Sequence, residues 1–243
     1  MTFIYLAIVL GFFTFINILA PVSGSATVTP VLAGLVGVKD AIAVATVFFL
    51  LTCIPRVYLF RKYIQWHLVK QLWPASIVGA VIGSVALTGI DAKIVAIIII
   101  LFLMFFLYKK LISVLKPATQ NKPTSKHGVT FIGLISGALQ GTGLAGSDLR
   151  NGYLYSKGLS IQKIHGTTAL IGGANFLFAS VVRVSSGDLI FSMMLPVFAL
   201  FPLIILATYI GRHVTLKMPK KWQDILIVGI MVFALVTIIY GLF

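Results

Sequence analysis

The sequence predicts an all-α integral membrane protein, a polytopic helical bundle of two inverted repeats. Each repeat is a broken, re-entrant hairpin followed by three transmembrane helices. Three observations predict it. Apolar residues make up 59% of the 243 positions and charged residues 10%, against roughly 45–50% and about 25% in a soluble domain. A soluble core of this size cannot bury so much apolar surface, and disorder needs the opposite composition. Several apolar runs approach the roughly 20 residues that a helix needs to cross the bilayer. The order of broken and unbroken runs also occurs twice.

The first repeat covers residues 1–115. It opens with a hairpin over 3–38: Phe3–Ala20 is apolar, the small-residue stretch Pro21–Thr27 ("PVSGSAT") interrupts it, and Val28–Val38 resumes it. Helices are predicted over 41–59, 72–89 and 92–110, the last around the apolar run Ile94–Tyr108. Residues 116–127 form a polar linker with two prolines, which stop a helix. The second repeat covers 128–243. Its hairpin, 128–158, reads Gly128–Leu139, a break at Gln140–Asp148 ("QGTGLAGSD"), then Leu149–Gly158. Helices are predicted over 162–184, 189–211 and 222–243. Many runs are rich in Ile and Val. Helix is still expected, because backbone polar groups in lipid need partners within the segment and no ten-residue alternation suggests a barrel. "VKDAIAVAT" (Val38–Thr46) pairs with "LSIQKIHGT" (Leu159–Thr167) at an offset of 121 residues.

Charge orients the halves. There are 19 Lys+Arg and 5 acidic residues, all Asp, for a net charge of +14. In a soluble chain this would suggest nucleic acid. In a membrane chain Lys and Arg gather in cytoplasmic loops, so the bilayer is the expected partner and nucleic acid is not. Arg56, Arg61, Lys62 and Lys70 follow the first helix, and Lys109, Lys110, Lys116, Lys122 and Lys126 surround the linker. Arg150, Lys157 and Lys163 lie around the second broken region, and Arg212, Lys217, Lys220 and Lys221 precede the last helix. If each hairpin enters and leaves on one side, all of these fall inside. Only Lys39, Lys93 and Arg183 are left outside, each near an Asp. The halves are then inverted and both termini lie outside the cytoplasmic membrane. The first segment lacks a basic leader, so no cleaved signal peptide is expected.

Broken helices at membrane depth are tolerated where they line a cavity. A half-helix N-terminus also offers free N–H groups and a positive dipole end to an anion. Small residues let a ligand approach the backbone. The candidate substrate-binding residues are Ser23, Gly24, Ser25 and Thr27 in the first break. Gly141, Thr142, Gly143, Gly146 and Ser147 are their counterparts in the second. Thr46, Thr167, Thr168 and Asn175 are candidate polar liners on the helices that follow. Tight helix packing is the alternative use of such residues. Arg150 either meets an anionic substrate or offsets Asp148, since an intramembrane charge marks function but also pairs. His165 is a candidate proton partner. Gly79/Gly83 and Gly133/Gly137/Gly141 read as small-residue packing faces. Lone Cys53 excludes a disulfide framework, and no His pair has metal-ligand spacing. Gly141–Gly146 spells G-x-G-x-x-G without a βαβ setting, and no nucleophile motif occurs. No cofactor, metal or catalytic residue is predicted.

With these residues in view, the chain resembles the sulfite exporter TauE/SafE family over nearly its whole length. "GLISGALQGTGLAGSD" and "IHGTTALIGGANFLFAS" carry the likeness. In the first half "PVSGSAT" and "VAT" (Val44–Thr46) depart from the family's glycine cluster and G-T-S. The resemblance implies a permease for sulfite, sulfonates or related small organic acids, and a homodimer. Composition and spacing alone point to a small anionic substrate.

Overall fold

The computed structural model describes residues 8, 10–14, 24–115, 126–144, 146–187, 191–217 and 220–242. Every regular element among them is helical. Residues 10–14 are helical. They are followed by α1 (Gly24–Val36), α2 (Val38–Phe60), α3 (Trp66–Thr88) and α4 (Ala92–Leu115). The remainder is α5 (Lys126–Gly141), α6 (Gly146–Ser156), α7 (Ile161–Ser185), α8 (Phe191–Ala199), α9 (Phe201–Lys217) and α10 (Lys220–Leu242). By length and apolarity, Val38–Tyr63, Trp66–Thr88 and Ile161–Ser185 can each cross a membrane.

Local chemistry sets several boundaries. Gly37, at φ 88°, turns α1 into α2 with a single residue, a conformation that only glycine adopts at little cost. Asp91 starts α4, its Oδ1 accepting the Lys93 N–H at 2.8 Å, as a helix N-cap does. The predicted run 189–211 is not one helix. It divides at Leu200 into α8 and α9, because Pro202 lacks the N–H that would continue the ladder. Both predicted breaks are also shorter than expected. Gly24, Ser25 and Thr27 already belong to α1, and α5 runs through Gln140 to Gly141. Only Thr142–Leu144 are described as turn between α5 and α6.

The predicted packing faces do meet each other. α5 runs beside α3 in the same direction. Gly133 sits against Leu72, Gly137 against Ser76, and Gly141 against Ala80 and Ser84. Gly79 and Gly83 close the same seam from α3, against Leu134 and Ala138. A Cβ at Gly79, Gly83, Gly137 or Gly141 would overlap backbone of the other helix. α6 then folds back on α5, Gly146 lying against Ser136 and Gln140. α7 begins where α2 ends: Gly166 faces Phe60, and the Gln65 N–H donates to Thr167 Oγ1 at 3.0 Å. The α5/α6 hairpin therefore enters and leaves the bundle at the end where α2 stops and α3 starts.

The core gathers around α2, whose Ala41–Phe49 are buried throughout. Many large exposed side chains are apolar. Ile94, Ile97, Ile98, Leu101, Met104 and Phe105 cover one side of α4, and Val78, Ile82 and Val85 one side of α3. Such surface suits lipid and would be a liability in water.

Candidate functional site

α2 and α7 pack antiparallel in constant register. Phe49 stacks on Phe176 with ring centroids 5.4 Å apart, and Phe60 stacks on His165 at 5.3 Å. Between these two aromatic pairs the helices face each other through Cys53, Gly172 and Gly173. A cavity lies there, with Gly172 in its wall. It gives water-sized centres about 50 Å³ of room. One water needs roughly 10–15 Å³, so the cavity holds a few waters or one small oxyanion.

Helical spacing selects the lining. α2 supplies Phe49, Thr52, Cys53 and Arg56, which fall on one face at i, i+3, i+4 and i+7. α6 supplies Ser147, Arg150 and Asn151 by the same rule. α7 contributes Ile164, His165, Thr168, Ala169, Gly172 and Phe176, and α5 contributes Gln140. Two guanidinium groups thus face one small cavity, and no carboxylate among the described residues lines it. Arg150 is fully buried. Its Nη1 and Nη2 donate to Gln140 Oε1 at 3.4 and 3.5 Å, and its Nε has no hydrogen-bond partner among the described residues. Asp148 is buried but lies outside the lining, in the first turn of α6. A carboxylate there suits the helix N-terminus.

A chain of polar groups reaches back from the cavity wall. Asn175 Nδ2 donates to Gln140 Oε1 at 2.8 Å and to Ser76 Oγ at 2.6 Å. Thr168 Oγ1 donates to Asn151 Oδ1 at 2.7 Å. Further along, the hairpin tip is tied to three helices. The Gly141 carbonyl accepts from Arg183 Nη2 at 2.8 Å and Ser84 Oγ at 3.2 Å, and the Gly143 carbonyl accepts from Thr29 Oγ1 at 3.2 Å.

Of the residues selected from sequence, Ser147, Arg150, His165 and Thr168 meet at the cavity. Asn175 supports it through Gln140. Thr46 Oγ1 bonds its own helix at Ile42 O, and Thr142 Oγ1 bonds Leu139 O. Thr167 is spent on the Gln65 N–H. The close approaches at Gly141, Gly143 and Gly146 are filled by protein: Ala80 and Ser84, Ile42, and Ser136 respectively. Ser23 lies outside the described residues; Gly24, Ser25 and Thr27 take helical backbone in α1. Both hairpin tips and the two following helix starts were expected to enclose one site, and the cavity has a different lining. Among the described residues, the α5/α6 hairpin, the second half of α2 and α7 from Ile164 to Phe176 line the cavity.

Arg56, Gln140, Asn151 and Cys53 were missed as liners. The charge count groups Arg56 with the inner loop although it falls inside the predicted 41–59 helix. The spacing of Thr52, Cys53 and Arg56 on an apolar helix was the available signal. Arg183 is also re-placed. It is 1% exposed and grips the hairpin tip from the last turn of α7.

The family model of the sulfite exporter TauE/SafE matches residues 6–238, nearly the whole chain. The chain belongs to that family, and is a membrane transporter of sulfur-compound anions. No curated protein and no solved structure matches it.

Proposed function

We propose that this TauE/SafE family member is a secondary carrier that moves a small oxyanion, sulfite or a short organosulfonate, across the cytoplasmic membrane. The cavity between α2, α7 and the α5/α6 hairpin is its binding site. The observation that carries the reading is the pair of arginines, Arg56 and Arg150, facing a cavity with no acidic lining. An oxyanion stripped of water must recover several hydrogen bonds at once, and guanidinium groups supply charge-assisted ones. Phe49 and Phe176 stack at one end of the cavity, which favours a carrier with one side closed over an open channel.

Two inverted repeats with both termini outside account for the packing. The order hairpin, long helix, long helix, long helix occurs twice, with α8 and α9 together standing for the kinked counterpart of α3. Contacts come in matching pairs: α3 packs on α7 as α9 packs on α2, while α2–α7 and α4–α10 are contacts between equivalent helices. Gly11 lies against Leu203 of α9 as α5 lies against α3. Rocking of one unit against another around the site would give alternating access. A homodimer is part of the proposal on family grounds.

Uptake of labelled sulfite and of ethanesulfonate into liposomes holding the purified protein tests this. Saturable anion flux that Arg56→Gln and Arg150→Gln each abolish is the expected result. Transport of a cation or a neutral solute with no response to anions overturns it.

A further inference from the structure

We propose that Gln140 is a substrate-binding residue whose side-chain amide is locked as a hydrogen-bond donor to the transported anion; this rests on the cavity being the anion site. Gln140 is 2% exposed in the last turn of α5 and forms part of the cavity wall. Its Oε1 receives Arg150 Nη1 and Nη2 and Asn175 Nδ2. A guanidinium has no acceptor. The Gln140 atom turned toward Arg150 is therefore the oxygen, and reversing the amide would set its NH2 against the guanidinium. Asn175 holds the same sense from the other side, since its Nδ2 is shared between Ser76 Oγ and Gln140 Oε1.

With the oxygen engaged, Nε2 turns the other way. It lies 3.2 Å from where a Cβ on Gly172 would stand, with Arg150 Nη2 at 3.4 Å and Cys53 Sγ at 3.8 Å from the same point. All four residues line the cavity, and Nε2 donates no hydrogen bond among the described residues. A donor in the cavity wall is left to water or to a ligand. An oxyanion between Arg150 and Arg56 would satisfy it. Neutral Gln thus presents a donor and no acceptor to the ligand, at a position where a carboxylate would pair with Arg150 and repel an anion.

Gln140→Glu tests this, because it keeps the oxygen that Arg150 and Asn175 use and turns the donor into a charged acceptor. Sulfite, sulfate and ethanesulfonate are titrated calorimetrically into the purified full-length protein, and thermal unfolding is followed in parallel. The expected result is a variant that unfolds no earlier than wild type yet binds each anion at least about tenfold more weakly, the effect of losing one hydrogen bond to a charged group. Gln140→Met, which removes the donor without adding charge but also removes the oxygen that Arg150 and Asn175 use, should lose at least about tenfold as well, and it carries the test if Gln140→Glu does not insert. Wild-type affinity in either variant overturns the role of Gln140 and leaves the proposed function standing. Absence of binding of all three anions to the wild type overturns the proposed function, and this role with it.

Discussion

Replacing Arg150 by Gln separates the two roles open to a buried cation. Its hydrogen bonds to Gln140, at 3.4 and 3.5 Å, are well beyond the usual 2.9–3.0 Å mode for N–H···O. Its Nε makes none among the described residues. The protein thus offers weak return for burying a full charge, which costs several kcal/mol per ion. Removing that charge should leave the ligand-free protein as stable as wild type or more so. Binding should suffer instead. Unpairing a buried charged partner costs about 2–5 kcal/mol, or about thirtyfold to a few thousandfold in Kd at 1.4 kcal/mol per decade. Calorimetric titration with sulfite gives the first quantity, and thermal unfolding without ligand gives the second. Asp148→Asn should bind at least as well as wild type, because it removes a negative charge two residues from Arg150. Loss of stability in both single variants, with recovery in the double variant, would refute this reasoning and make Asp148 and Arg150 a mutually neutralising pair.

Four further outcomes are expected. Gly137→Ala places a Cβ into the Ser76 carbonyl and should destabilise the protein by at least about 1–3 kcal/mol, seen as earlier thermal unfolding. Gly152→Ala meets nothing within 4 Å and should not destabilise it. Cys53, the chain's single cysteine, lies in the cavity wall, so sulfite should slow its alkylation by a small maleimide; an unchanged rate at saturating sulfite would place the site elsewhere. In a Cys53→Ser background, Ser125→Cys should resist an impermeant thiol reagent on intact cells and Lys93→Cys should react, whereas the reverse pattern would overturn the proposed orientation.

The helices were legible because crossing a bilayer demands long apolar runs. The seam between α3 and α5 was legible for a related reason: glycines four apart in such a run leave a groove that another backbone fills. The division of α8 from α9 was signalled by Pro196 and Pro202 but outweighed by run length. What the linear sequence hid was direction. Arg56 counts the same in a charge tally whether it faces the cytoplasm or a cavity, and only the register of α2 against α7 turns it inward. Gln140 and Gly141 are adjacent in one motif, yet one faces the cavity and the other is packed on α3. The glycines of the second break were recognised as points of close approach, and it took the fold to show backbone arriving there.

The seam between α3 and α5 also restricts how the protein can move. Main chain meets main chain at successive turns, from Gly133 on Leu72 to Gly141 on Ser84. Two interlocked helices of this kind cannot glide by a fraction of a turn; they stay engaged or jump a whole pitch of about 5.4 Å. Arg183 and Ser84 clasp the same hairpin at its tip. The re-entrant hairpin is therefore no flap. It is built onto α3 as one piece, with Arg150 and Gln140 on it. Under the proposed carrier function, exposure of the site to the opposite side is then expected from movement of the wall that holds Arg56, with the anion bridging the two arginines.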